Sequence, residues 1–100
     1  MFDLRIGNDP INHDLKILNC YFESQLSEVK TFEVRKNDRD FRVGDTIILR
    51  EIDSSGPAED YKVTGRTLLV GINYILNSTH DALFKGIEVG YCIISTEILK

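Results

Sequence analysis

From His13 onward the hydrophobic period of the chain changes segment by segment. Asp14 to Leu18 is a short strand-type run, and Asn19 then offers a helix cap to Leu18, Phe22, Leu26 and Val29, which recur at helical spacing. This stripe predicts one amphipathic helix with its apolar side on the core. At Thr31 the period drops to two, with Phe32 and Val34 on one side and Thr31, Glu33 and Arg35 on the other. The alternation predicts a strand that buries Phe32 and Val34 and leaves Glu33 and Arg35 as an exposed ion pair. Asn37 to Asp40 and Gly44-Asp45 carry turn chemistry, and Thr46 to Ile52 is a second strand rich in β-branched residues.

Residues 53 to 64, with Ser54, Ser55, Gly56, Pro57, Glu59 and Asp60, read as a long rim loop. Thr67 to Leu76 is the longest strand, with Leu68, Val70, Ile72, Tyr74 and Leu76 on one face and Gly71 marking a bulge or bend. A short helical turn is expected around Asp81 to Phe84, and Tyr91 to Ile98 closes the chain as a strand. Residues 1 to 12, which include Gly7, Asn8, Asp9 and Pro10, read as a partly ordered arm, followed by a single domain over 13 to 100. Several short strands, one helix and no β-α-β alternation predict an α+β class, mostly β, built as a small, mostly antiparallel barrel with one flanking helix.

Composition limits the alternatives. One hundred residues with 42% apolar and 28% charged content can form one core but not two. No apolar run approaches the roughly 20 residues that span a bilayer, and the opening MFDLRIGNDP lacks the basic start and apolar centre of a secretory signal. The expected compartment is the cytoplasm, with no membrane partner. Cys20 and Cys92 are then expected to be reduced and buried, and no metal or other cofactor is expected, because His13 and His80 stand alone at spacings no zinc motif uses.

Charge refines the view of partners. The chain carries a net charge of -4, which repels a polyanion at long range. Yet Lys30 to Arg42 holds five basic residues (Lys30, Arg35, Lys36, Arg39 and Arg42) against three acidic ones, an excess of +2 that leaves -6 elsewhere. Such a patch can hold one or two phosphates at short range, or it can be a solvated surface of mixed sign. No Ser-His-Asp order, phosphate-cradling glycine loop or dinucleotide fingerprint accompanies it.

The run Lys30-Thr31-Phe32-Glu33-Val34-Arg35 resembles the K-x-x-E-x-R core of ASCH domains, which share the PUA-like barrel and are associated with RNA binding. Its extension through Lys36-Asn37-Asp38-Arg39-Asp40-Phe41 and Val43-Gly44-Asp45, with His13 to Lys16 upstream and Gly90-Tyr91 downstream, resembles a small phage and bacterial branch of that superfamily. The resemblance covers roughly residues 13 to 96 and implies a PUA-like, ASCH-type barrel. At the family's usual glycine, two positions before the lysine, this chain has Glu28, a costly residue if the turn there needs a positive φ. In an ASCH-type acetylcytidine amidohydrolase the lysine falls on Lys30, and the catalytic threonine three positions later falls on Glu33.

These observations predict an RNA- or nucleotide-binding module whose cleft lies beside Lys30 to Arg42, with modest, salt-dependent affinity. Its nucleic-acid-binding residues are Lys30, Glu33, Arg35, Lys36, Arg39 and Arg42, with Tyr61, Tyr74 or Tyr91 as candidate stacking faces and at least two tyrosines packed inside. Asn37 and Asp38 are turn formers, and Phe41 is core. The alternative is a small nucleoside amidohydrolase with Lys30 and Glu33 at the reacting carbonyl. A further alternative is a phage-encoded interaction domain that meets a basic host protein through Glu51, Asp53, Glu59 and Asp60.

Overall fold

The computed structural model describes residues 9–77 and 87–99. Five strands, β1 (Asn12–Leu18), β2 (Phe32–Lys36), β3 (Thr46–Asp53), β4 (Lys62–Asn77) and β5 (Tyr91–Ile98), form one sheet in the order β1-β3-β4-β5-β2. The only α-helix among the described residues, α1 (Asn19–Leu26), follows β1. A single 3-10 turn, Ala58–Asp60, lies in the β3–β4 connection. The sheet curls into a half-barrel. β1 runs parallel to β3, which requires the long connection through α1 and β2, and the other pairings are antiparallel.

Alternation in β1 and β3 sets the core directly. Leu15 and Ile17 from β1 meet Ile47 and Leu49 from β3, Leu68, Val70 and Ile72 from β4, and Cys92 and Ile94 from β5. Phe22 of α1 and Phe41 of the β2–β3 loop close this cluster. The loop is fixed by Asp45, whose carboxylate accepts from the backbone N–H of Ile11 (3.1 Å) and of Arg42 (3.0 Å). The same carboxylate meets buried His13 Nε2 at 2.8 Å, and the His13 ring packs on Phe41 at 4.7 Å. No described helix is long and apolar enough to cross a membrane.

Several expectations need correction. α1 has only two turns and ends before Val29, so Val29 is exposed, and Leu26 is exposed as well. Its buried positions are Phe22 and Gln25, and Leu18, not Asn19, is the N-cap. Asn19 instead accepts a hydrogen bond from the Ser54 hydroxyl, at 2.8 Å. Cys92 is buried, and desolvation pushes its thiol above its ordinary value, whereas Cys20 lies on the outer side of α1 and is exposed.

The inside-out pattern expected for β2 is reversed. Glu33 is buried at 3% exposure, while Phe32 and Val34 are 44% and 54% exposed. Register explains the inversion, because directly opposed residues share a face: Glu33 faces Ile94 and Arg35 faces Cys92, both on the inner side. Along β4 the alternation breaks at a register shift between Ile72 and Tyr74, which turns Tyr74 outward and Ile75 towards the core. The irregularity is therefore at Asn73 and not at Gly71. Gly71 serves close packing, since a Cβ there would stand 3.4 Å from the Leu99 side chain. The expected rim loop is shorter than 53 to 64, because β4 begins at Lys62. The helical turn expected around Asp81 to Phe84, and most of the N-terminal arm, lie outside the described residues.

Candidate functional site

β1 and β2 are the two end strands of the sheet, and curling brings their free edges to one groove of about 510 Å3. Its walls are Lys16, Ile17 and Leu18 of β1, Tyr21 of α1, Lys30, and Phe32 to Arg35 of β2. The ladder contacts show which backbone groups face it. Thr96 N–H donates to Thr31 O (2.9 Å) and Asn37 N–H to Gly90 O (2.7 Å), so the odd-numbered residues of β2 are spent on β5. The even-numbered ones turn outward. By the same reasoning Thr46 N–H to Ile11 O (3.0 Å) assigns the odd residues of β1 to β3 and leaves the even ones at the groove.

Side chains occupy part of this exposed backbone. Arg35 Nη2 crosses the groove to Lys16 O at 2.9 Å, and Arg39 Nη1 reaches Asp14 O at 3.3 Å. Phe32 O accepts from Gln25 Nε2 at 3.0 Å and from Lys30 Nζ at 2.6 Å. The backbone N–H and C=O of Val34 have no partner among the described residues. An inward-pointing charge and a capped edge are devices by which sheets avoid edge-to-edge association, and β2 carries both.

Glu33 organises the floor. One carboxylate oxygen accepts from Gln25 Nε2 (3.0 Å) and from Lys30 Nζ, the other from Arg35 Nε (3.2 Å) and Nη2 (2.8 Å). Gln25 is positioned in turn by the Thr96 hydroxyl, at 3.3 Å. A buried carboxylate is tolerable only when its lone pairs are matched in this way. Lys30 Nζ also lies 5.4 Å from the Tyr21 ring centroid and 5.0 Å from that of Phe32, close enough for cation–π attraction.

Lys30 owes its place to a sharp helix exit. Glu28 N–H donates to Gln25 O and Lys30 N–H to Ser24 O, while Glu28 takes φ +62, the left-handed position glycine usually fills after a helix. The condition set on Glu28 by the sequence is thus met, and the lysine still reaches the groove.

Of the sequence-derived site residues, Lys30, Glu33 and Arg35 come together in the groove. Lys36, Arg39 and Arg42 do not line it, and Arg42 pairs with Asp40 at 2.8 Å. Lys16, which belongs to the His13 to Lys16 part of the resemblance but was not among the expected site residues, and Tyr21, which belongs to no motif, also line the groove. The one available signal for Tyr21 was its position next to Phe22, which turns it off the core stripe. None of the described tyrosines is packed inside: Tyr21, Tyr61, Tyr74 and Tyr91 are all exposed. Of the acidic set offered for a protein partner, Glu51 is buried against Arg66 and Thr64, so it is not part of an acidic surface.

A family model described as a domain of unknown function, DUF3850, matches residues 12–96. No curated protein matches the chain.

Proposed function

The chain belongs to the DUF3850 family, and on that premise we propose that it is a cytoplasmic module that binds RNA or a nucleotide in the groove between β1 and β2. One observation carries this reading: aromatic faces, cations and unpaired backbone groups meet in one concavity of ligand size. Tyr21 and Phe32 offer ring surface for a base, Lys16, Lys30 and Arg35 offer positive charge, and the Val34 backbone offers one donor and one acceptor. The half-barrel with one helix, and the convergence of the K-x-x-E-x-R side chains, also support an ASCH-type, PUA-like affiliation for the family.

The amidohydrolase reading has weaker support. Both oxygens of Glu33 already accept from Gln25, Lys30 and Arg35, which leaves the carboxylate committed to structure rather than to a reacting water. An NMR titration with short single-stranded RNA and a nucleotide panel tests the proposal. Shifts concentrated at Lys16, Tyr21 and Phe32 to Arg35 are expected, and a spectrum unmoved by every ligand rejects it.

A further inference from the structure

We infer that the groove takes a single phosphorylated nucleotide, free or at the end of a strand, rather than the interior of an RNA. This rests on the nucleotide reading above and narrows its ligand. In the sequence, Lys30 to Arg42 looks like a continuous basic track, but the fold divides it. Arg42 is turned onto Asp40, and Arg39 is held at Asp14 O beside Asp38. Neither lines the groove. A polymer leaving it would meet few free cations and a chain of net charge -4.

Within the groove the charge matches one phosphate. Lys16, Lys30 and Arg35 stand against Glu33 alone, an excess of two positive charges, and a phosphate monoester carries about -1.5 to -2 at neutral pH. The interior of an RNA would bring one charge per phosphodiester and no doubly charged group. Lys30 and Arg35 are already engaged by Glu33 and by backbone carbonyls. Lys16 is exposed and its amine makes no hydrogen bond or ion pair among the described residues; the nearby acid that feels its charge, Asp14, is already held by Arg50 at 2.8 Å. The geometry therefore assigns the phosphate to Lys16, with Arg35 beside it, and the base to the side lined by Tyr21, Phe32 and Val34.

The experiment is an NMR titration of the full chain with the common nucleosides, their 5′-monophosphates, and a short RNA bearing either hydroxyl or 5′-phosphate ends. A charge-assisted contact predicts that monophosphates bind about tenfold more tightly than their nucleosides. Lys16→Ala should remove that preference while nucleoside binding persists, and Lys62→Ala, away from the groove, should keep it. The 5′-phosphorylated RNA binding like a monophosphate supports a strand end as the source, and its failure beside monophosphate binding supports a free nucleotide. Hydroxyl-ended RNA binding more tightly than every monophosphate, with shifts spreading to Arg39 and Arg42, overturns the single-nucleotide inference and leaves the RNA reading standing. Equal binding of nucleosides and monophosphates, or a preference that survives Lys16→Ala, also overturns it. No groove shift with any ligand removes the underlying reading as well.

Discussion

Arg35 on one end strand of the sheet donates through Nη2 to the carbonyl oxygen of Lys16 on the other, at 2.9 Å, and so ties the open seam of the half-barrel. The same guanidinium holds Glu33 by two nitrogens. The proposed ligand site and the seam closure therefore share one side chain, so binding there would be coupled to stability.

Arg35→Ala should lower stability by about 1–3 kcal/mol, because a buried carboxylate and an edge carbonyl each lose a charged donor while Lys30 and Gln25 remain. Arg35→Lys should recover only part of this, since an ammonium cannot span Glu33 and Lys16 O as a planar fork does. Urea denaturation measures both. Equal stability of Arg35→Ala and the parent would mean that the seam contact contributes nothing. In the same variant RNA or nucleotide affinity should fall and its dependence on salt should flatten.

Acid should weaken the fold through Glu51. Its carboxylate accepts from Arg66 Nε (2.9 Å) and Nη2 (2.7 Å) and from the Thr64 hydroxyl (2.6 Å). The Arg66 hydrogen bonds, then that of Thr64, hold it down from 4.5 to about 2. The folded value is depressed, so the stabilisation is fully present above about 4.5 and is lost as pH falls from there through 2. Glu51→Gln should show a lower Tm at neutral pH and a shallower fall across that window. Parallel Tm curves for the two proteins would remove Glu51 from the account of acid sensitivity.

Glu28→Gly should stabilise the chain. A left-handed φ of +62 costs a residue with a Cβ about 1–2 kcal/mol, against which glycine loses about 0.4–1 kcal/mol to unfolded-chain entropy. The expected net gain is about 0.5–1 kcal/mol, read from denaturant midpoints with an unchanged slope. A loss instead would show that the Glu28 side chain makes a contribution larger than its backbone strain.

Much of the framework was legible because local pattern and tertiary environment agree there. Tyr91 to Ile98, a short run bounded by Gly90 and rich in β-branched residues, is a strand with those bounds, and Thr46 to Ile52 falls short of β3 by one residue. Phe41 is core as expected. Lys30, Glu33 and Arg35 were legible as a motif, but their arrangement was not. Periodicity assigns polar residues outward, and nothing local reveals that Gln25, eight residues before Glu33, supplies the donor that makes its burial tolerable. The place of Lys16 in the groove depends on β1 and β2 ending opposite edges of a curled sheet, a relation between strands 14 or more residues apart that no window of the chain contains. Tyr74 faces outward, against the alternation of its strand, because the register shift beside it resets the pattern.

The inverted face of β2 gives the sharpest mutational test. If Phe32 and Val34 were core, as alternation alone suggests, Val34→Thr would bury a hydroxyl and destabilise, while Glu33→Val would be harmless at the surface. The observed register requires the reverse. Val34 is 54% exposed opposite half-buried Ile93, so Val34→Thr should change stability by no more than about 0.5 kcal/mol. Glu33→Val should cost about 3–5 kcal/mol, because it leaves Lys30 and Arg35 facing each other in the groove floor without their shared anion. Ile94→Ala, on the inner face directly opposite Glu33 and fully buried, should cost about 2–5 kcal/mol and calibrates the scale. Measured by urea denaturation, a tolerated Glu33→Val beside a damaging Val34→Thr would put the strand the other way round. The groove built on its inward charges would then go with it.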